Sequence, residues 1–346
     1  MRRALGPLLA LSVVLVATGC ADIAREQVRV VGSSTVFPFT TAVAENFNRQ
    51  HPEFRAPIVE SVGTGGGLKL FCGGVGSRHP DVANASRRIT QSELADCAAN
   101  GVREVVEVQI GIDGLVMVQG RQAVPLNLTL RDVYLALAAE PWGQQQTART
   151  WKDVNPELPA IRIEVLGPPP TSGTRDAFNE LYMQAGCLTN PAMTELKRSN
   201  NARFRQICEG IREDGAYVDA GENDNLLVQQ LTQNPIGVGA FGFSYYEANT
   251  DRLRGVPING VAPSYETISA FEYPGARPMF IYAKGEHARA IRGLKDFLEE
   301  YTSEGAWGPR GYLSRRGLVA SPDEIRVRYR ERAMNLIAMR PEDLEG

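Results

Sequence analysis

Apolar positions along this chain follow two periods, and each change of period predicts a change of element. Short β-branched runs predict strands, and longer stretches with apolar residues three or four apart predict helices. Strands are predicted at residues 28–31, 58–62, 82–83, 105–112, 114–118, 161–166, 236–243 and 279–282. Helices are predicted at residues 40–50, from 68 onward, and at 91–100, 129–139, 151–154, 175–185, 226–232 and 288–302.

The near-regular alternation of strand and helix indicates an α/β protein. Such patterns favour parallel sheets with helices on both faces, and ligands bind beyond the carboxyl ends of the strands. The 346 residues fit one large or two medium domains. No low-complexity linker separates the halves, so any two lobes are expected to pack against each other rather than to be joined by a flexible linker.

Four short loops rich in Gly, Ser and Thr follow predicted strands, and most of them precede predicted helices. Helix N-termini carry unpaired N–H groups and a partial positive charge, and oxyanions bind there. Four such loops in one chain predict a cage for a small oxyanion. We number them loop 1 (residues 32–38, GSSTVFP), loop 2 (63–68, GTGGGL), loop 3 (84–87, NASR) and loop 4 (171–175, TSGTR).

The first twenty residues have the layout of a secretory signal. Arg2 and Arg3 precede an apolar run over residues 4–17, followed by Thr-Gly-Cys at 18–20. The run is too short to span a bilayer, which takes about 20 apolar residues. Cys20 resembles the lipidated cysteine of bacterial lipoproteins, although ordinary cleavage after Ala21 is the alternative. We expect an exported, periplasmic protein with Cys20 as its lipid anchor.

The cysteine count supports export. Removing Cys20 from the five cysteines leaves an even number, which in an exported chain favours disulfides. Sequence proximity favours Cys72 with Cys97 and Cys187 with Cys208, each bond contributing about 3 kcal/mol in the chain-entropy model. A zinc site is the competing interpretation, but no CxxC occurs and the three histidines are scattered, so no metal is expected.

Charge and motif content exclude several functions. The net charge is −3, and no Lys/Arg-rich stripe interleaves with aromatics, so nucleic acid is not an expected partner. A hydrolase of phosphate esters would require a nucleophile beside a base or a metal cluster. No histidine lies in the four loops, and no Gly-x-Ser-x-Gly elbow is present. We therefore predict a binding protein, not an enzyme, and no cofactor.

The four loops, in their order, resemble the signature segments of the PstS-type phosphate-binding proteins of bacterial ABC importers. Residues 236–242 (IGVGAFG) and 277–282 (RPMFIY) also resemble later strands of that family, so the resemblance spans the mature chain. It implies a two-lobe periplasmic-binding-protein type II fold, each lobe a mixed, mostly parallel sheet flanked by helices. We expect lobe 1 at residues 27–112 and 256–346, and lobe 2 at 113–255. The two crossovers are expected near residues 110–113 and after Phe243.

The same resemblance implies a set of ligand-binding residues. Loops 1 to 3 would contribute from one lobe and loop 4 from the other, with Arg175 as a further source of charge. The implied set is Ser34, Thr35, Val36, Thr64, Gly65, Ser86, Arg87, Ser172, Gly173, Thr174 and Arg175. Simpler explanations exist for each: helix capping for Ser34 and Thr35, a plain turn for Thr64, and pairing with Asp176 or Glu180 for Arg175.

Two positions depart from the enterobacterial form of the family. That form has an Asp where this chain has Arg87, and the Asp accepts the proton of hydrogen phosphate. It also has an Arg where this chain has Pro168. The Asn-Ala-Ser-Arg loop is similar to a cyanobacterial-type branch. Asp224 and Asn225, which start a predicted helix, are the candidates to replace the lost acceptor, with Asp113 a weaker one, although Asp224 is also a plain helix-start residue.

The expected function is high-affinity capture of inorganic phosphate for an ABC permease in the inner membrane. The alternatives are another tetrahedral oxyanion, namely sulfate, arsenate or phosphite, and a phosphate sensor without transport. We expect a monomer that contacts the membrane only through its lipid anchor.

Overall fold

The computed structural model describes residues 26–170, 172–221 and 224–344, without the side chains of Asp224 and Asn225. The predicted signal and Cys20 lie outside these residues. Nine strands occur within them: β1 (Arg29–Gly32), β2 (Ile58–Ser61), β3 (Val82–Ala85), β4 (Val105–Gly120), β5 (Val165–Gly167), β6 (Tyr217–Asp219), β7 (Val238–Gly242), β8 (Leu253–Gly255) and β9 (Ala276–Lys284).

Sixteen α-helices occur in the same described ranges. They are α1 (Phe37–Gln50), α2 (Thr64–Phe71), α3 (Gln91–Ala99), α4 (Leu130–Leu137), α5 (Trp151–Val154), α6 (Gly173–Phe178), α7 (Ala185–Cys187), α8 (Pro191–Ser199), α9 (Asn201–Glu209), α10 (Asp224–Gln233), α11 (Phe243–Glu247), α12 (Tyr265–Ser269), α13 (Gly285–Ala290), α14 (Leu294–Tyr301), α15 (Glu304–Trp307) and α16 (Asp323–Met334). A π-helical segment, Asn179–Gln184, joins α6 to α7.

The strands form one continuous mixed sheet in the order β2-β1-β3-β9-β4-β7-β5-β6, with β8 pairing β4. Strands β1, β2 and β3 are parallel at one end, and β5, β6 and β7 are parallel at the other. Strands β4 and β9 run antiparallel to their neighbours. The α/β fold is as predicted, and the antiparallel pairs come from these two central strands.

Strand β4 is the first crossover between two hydrophobic cores. Ile110 packs in the core of lobe 1 and Ile112 in the core of lobe 2. The register with β9 shifts between Gln109 and Gly111, where a bulge interrupts the pairing. Bulges bend a strand locally, so β4 bends where it passes from one core to the other. The lobe boundary expected at residues 112 and 113 stays a prediction.

Strand β9 is the second connection between the two cores. Val256, Ile268 and Tyr273 pack in the core of lobe 2, although a boundary at residue 256 would place them in lobe 1. The chain returns through β9, whose Met279 and Ile281 pack in lobe 1. The segment after β8 therefore packs with lobe 2, while the lobe boundary expected at residue 256 stays a prediction.

Each lobe contains one disulfide, with the pairing expected from sequence proximity. Cys72 bonds Cys97 in lobe 1, and Cys187 bonds Cys208 in lobe 2. Across the described residues, no cluster of His, Cys, Asp and Glu has the arrangement of a metal site. None of the helices in the described part of the chain is long and apolar enough to cross a membrane.

Candidate functional site

Loops 1, 2 and 3 converge at the carboxyl ends of the parallel strands β1, β2 and β3. A Cβ on Gly32 would lie 2.1 Å from the Asn84 carbonyl oxygen, and one on Gly67 would lie 2.4 Å from the Gly32 Cα. Gly32 also has a φ of +140°, which disfavours any other residue. Glycine at these positions therefore lets three polar loops pack backbone to backbone beside one cleft.

The hydroxyls of these loops are tied to one another. Thr64 Oγ1 lies 3.1 Å from Ser86 Oγ and accepts a hydrogen bond from the Ser86 N–H at 3.1 Å. Val36 is the buried N-cap of α1, and its N–H lies 3.4 Å from Ser33 Oγ. Gly65 lies in the first turn of α2. The N-terminal ends of α1 and α2 thus face the same cleft, where their dipoles favour an anion.

Loop 4 approaches loop 1 from lobe 2. Ser172 caps α6, and its hydroxyl accepts a hydrogen bond from the Thr174 N–H at 3.1 Å. Thr35 Oγ1 lies 3.3 Å from the Gly173 carbonyl oxygen. A Cβ on Gly173 would lie 2.9 Å from the Ser34 carbonyl oxygen. The two lobes therefore touch where loops 1 and 4 meet.

Two cavities border this contact, and Ser34 and Thr35 line both of them. The polar cavity, of about 240 Å³, is lined by Ser33, Ser34, Thr35, Gly63, Thr64, Ser86, Arg87, Asp176, Asn179, Glu180, Gln184, Arg205, Glu209 and Arg277. The larger cavity, of about 590 Å³, is lined by Ser34, Thr35, Ser172, Gly173 and Thr174 together with apolar side chains such as Phe37, Phe241 and Tyr245. Loops 2 and 3 thus face the polar cavity, loop 4 the larger one, and loop 1 both.

Arg87 lines the polar cavity but is held by its own lobe. Its guanidinium donates two hydrogen bonds to Glu93, at 2.8 and 2.9 Å. This hydrogen bonding raises the pKa of Arg87 above its ordinary value. Burial opposes ionisation of Glu93, yet the hydrogen bonds from Arg87 and Thr90 hold the pKa of Glu93 below its ordinary value. Arg87 is therefore positively charged, and Glu93 neutralises that charge within lobe 1.

Arg175 lies elsewhere. Its guanidinium donates to the Pro168 carbonyl oxygen at 2.9 Å and lies over the ring of Tyr217, 4.4 Å from the centroid. It is absent from the lining of both cavities. Neither Asp176 nor Glu180 holds it, which differs from the helix pairing considered from the sequence. A ligand contact by Arg175 would require the side chain to leave Tyr217.

Arg277 is the cleft residue that sequence reasoning missed. It lies on β9 opposite Asp113 of β4, with only 6% of the residue exposed. Its Nε donates to Asp113 Oδ2 at 3.1 Å, its Nη2 to Thr35 Oγ1 at 3.0 Å, and its Nη1 to Glu180. One guanidinium therefore joins both crossover strands and both lobes at the hinge.

Two further predicted residues, Asp224 and Asn225, begin α10. Their side chains lie outside the described residues, so their selectivity role stays a prediction. Leu227 of the same helix lines the larger cavity.

The polar cavity is electrically balanced. Among the residues that the structure describes, three guanidinium groups (Arg87, Arg205 and Arg277) and three carboxylates (Asp176, Glu180 and Glu209) line it. Arg205 pairs with Glu209 within lobe 2, as Arg87 pairs with Glu93 within lobe 1. Among the described residues that line either cavity there is no histidine and no cysteine. The arrangement offers hydrogen-bond donors and fixed dipoles, which suits binding rather than nucleophilic chemistry.

Sequence and structure comparisons define the class. A domain model described as a PBP superfamily domain matches residues 21–304, and the chain belongs to this superfamily. Protein SphX of Synechococcus elongatus is 33% identical over 311 residues, which cover 87% of this chain and 80% of SphX. The phosphate-binding protein PstS of Staphylococcus saprophyticus is 28% identical over 282 residues, covering 79% of this chain and 75% of that protein.

A solved structure agrees with this assignment. The crystal structure of a possible phosphate binding protein from Planctomyces limnophilus has a TM-score of 0.72 and 29% sequence identity, covering 90% of this chain and 98% of that one. The α/β periplasmic-binding-protein fold is thereby confirmed. PstS and the Planctomyces limnophilus protein carry the names of a phosphate-binding protein and a possible phosphate binding protein.

Proposed function

We propose that this protein captures inorganic phosphate between its two lobes for an ABC importer. The observation that carries the proposal is the meeting of loop 1, loop 4 and Arg277 at the interlobe contact. Hydroxyls, helix N-termini and a buried guanidinium are the groups that bind a desolvated oxyanion with charge-assisted hydrogen bonds. The names of PstS and of the Planctomyces limnophilus protein support phosphate as the anion.

Capture would proceed by hinge motion. Within the described part of the chain, two strands, β4 and β9, carry the continuous sheet from one lobe to the other, and the bulge in β4 lies at the crossover. Opening about this pair separates loop 1 from loop 4 and admits the anion. Closing then brings Ser34, Thr35 and Thr64 of lobe 1 towards it, with Arg87 and Arg277 supplying the charge. The loop 4 residues line the larger cavity, so they reach the anion only if their contact with loop 1 rearranges.

We further propose that the protein acts outside the cytoplasmic membrane, anchored through lipidated Cys20, as a monomer that docks on an inner-membrane permease. The signal-like N-terminus and the relation to PstS support this part of the proposal. Expression of the protein in a host treated with globomycin should leave the unprocessed lipoprotein precursor. The Cys20→Ala variant should yield a protein that is not lipidated.

Calorimetry on residues 21–346 tests the proposal directly. Titration with phosphate at neutral pH should give a dissociation constant below about 1 μM, a binding free energy near −8 kcal/mol. Excess sulfate should not compete. Absence of phosphate binding would overturn the proposal, and equal binding of both anions would replace phosphate by tetrahedral oxyanions in general.

The same titration tests the proposed selectivity role of Asp224. If its carboxylate accepts the proton of hydrogen phosphate, Asp224→Asn should abolish discrimination against sulfate, whereas unchanged discrimination would exclude Asp224 as the acceptor.

A further inference from the structure

Two carboxylates of lobe 2 are bonded to donors of lobe 1 and of the hinge. Asp176 on α6 accepts a hydrogen bond from the Ser34 hydroxyl at 2.6 Å. Glu180, four residues later in the π-helical segment, accepts from Arg277. Residues four apart on a helical segment point to the same side, so both carboxylates are presented together to the opposite lobe.

The donors that they occupy are the ones that suit an oxyanion. Ser34 belongs to loop 1, and the guanidinium of Arg277 also reaches Thr35 of the same loop. Both donors line the polar cavity together with both carboxylates. A carboxylate offers two anionic oxygens, as a bound phosphate would, and hydrogen bonds to it from a guanidinium are of the same strong kind.

The negative charge around Arg277 makes it unfavourable for an oxyanion and both neighbouring carboxylates to contact its guanidinium at the same time. The guanidinium already faces Asp113 and Glu180, which together carry two negative charges for its one positive charge. An oxyanion added beside it would meet both carboxylates at short range. Asp113 is paired in register on β4, with 19% of its side chain exposed, whereas Glu180 is 43% exposed. Glu180 is therefore the partner that can leave.

We propose that Asp176 and Glu180 are internal competitors of the anion, which hold the lobes together until phosphate displaces them from Ser34 and Arg277. This inference rests on the proposed phosphate binding. A ligand that must first displace an internal contact binds with an affinity reduced by the population of the competing state. The two carboxylates thereby set the affinity of the site without being ligands.

The proposal predicts that removing negative charge here tightens binding and opens the free protein. Asp176→Asn and Glu180→Gln should each lower the phosphate dissociation constant about fivefold, and the double variant about twentyfold, since the amide keeps part of each contact and the net loss is about that of one ordinary hydrogen bond. Small-angle X-ray scattering should show a larger radius of gyration for the anion-free double variant than for the wild type. With saturating phosphate, the two should have the same radius.

Glu209→Gln is the matched control. Glu209 lines the same cavity but bonds Arg205 and Gln184 of its own lobe. Glu209→Gln removes one negative charge from the cavity, as each of the other two substitutions does. Because it breaks no contact between the lobes, it should tighten phosphate binding much less and leave the radius of gyration unchanged. An unchanged or weakened phosphate affinity in Asp176→Asn and Glu180→Gln would overturn the proposal. So would tightening equal to that of Glu209→Gln without opening.

Failure of this inference is distinguishable from failure of the proposed function. If wild-type protein binds phosphate but the two variants do not bind it more tightly, the internal competition is refuted and phosphate capture stands. If wild-type protein and the double variant both fail to bind phosphate, the proposed function itself is refuted.

Discussion

Arg87 and Arg277 line the same cavity, but they are held in opposite ways. Arg87 is paired with Glu93 of its own lobe, so its position is independent of how the lobes are arranged. Arg277 is bonded to Asp113, Glu180 and Thr35, which belong to the other crossover strand and to both lobes. The comparison shows that one cleft can contain an arginine held within a single lobe and another arginine whose contacts depend on closure of the two lobes.

The largest expected effect is that of Arg277→Gln. The substitution removes the guanidinium at the hinge and leaves Asp113 and Glu180 without their cation. The variant loses two charge-assisted hydrogen bonds to the bound phosphate, each contributing about 1.5–3 kcal/mol. Phosphate binding should therefore weaken about 100-fold or more. Calorimetry measures the change, and circular dichroism checks folding. Arg277→Lys keeps the charge and should recover part of the affinity; unchanged binding in Arg277→Gln would remove Arg277 from the site.

Arg87→Gln should have a smaller effect, about tenfold on the dissociation constant. The Arg87 guanidinium is shared with Glu93, so part of its charge is already neutralised before any anion arrives. A loss as large as that of Arg277→Gln in the same calorimetric series would contradict the distinction between the two arginines.

The hydroxyls of Thr35 and Thr64 should differ as the two arginines do: the one with contacts across the lobes should contribute more to phosphate affinity. Thr35→Val removes a group bonded to Arg277 and to Gly173 across the lobes, so we expect about fivefold weaker binding, the value of roughly one hydrogen bond. Thr64→Val removes a hydroxyl that bonds Ser86 within lobe 1 and should cost less affinity. Equal losses in parallel phosphate titrations would show that the interlobe position of Thr35 is unimportant.

How far the sequence predicts this site depends on whether the contact is local. The four loops are local features, since their glycine, hydroxyl and helix-start signals lie within a few residues. The two disulfides follow from short separations of 25 and 21 residues. The sequence therefore indicated where polar groups cluster.

The missed features are non-local. The Asp113 and Arg277 pairing depends on the register of β4 against β9, across 164 residues, which no local pattern specifies. The position of Arg175 over Tyr217 depends on how β6 lies beside β5. The packing of Ile268 and Tyr273 in the core of lobe 2 likewise depends on contacts distant in sequence. In each case tertiary packing decides between alternatives that the sequence left open.

The smallest expected effect is on stability, from the partner of Arg87. Glu93→Gln removes the Arg87 ion pair and weakens the capping box with Thr90, so we expect about 1 kcal/mol of destabilisation at pH 7. The pKa of Glu93 is lowered in the folded state, so its contribution is present at higher pH and is lost as pH falls below 4.5 through the folded-state pKa. Urea unfolding at pH 7 and at pH 3 should show the difference between wild type and variant shrinking at the lower pH. A constant difference would contradict the ionic contribution.

The most direct measurement is a crystal structure of residues 21–346 grown with phosphate. We expect tetrahedral density between the lobes, within hydrogen-bonding distance of Ser34 and of the Arg277 guanidinium, with Glu180 turned away from Arg277. Tetrahedral density outside the cleft, or an intact contact between Glu180 and Arg277 beside a bound anion, would contradict it.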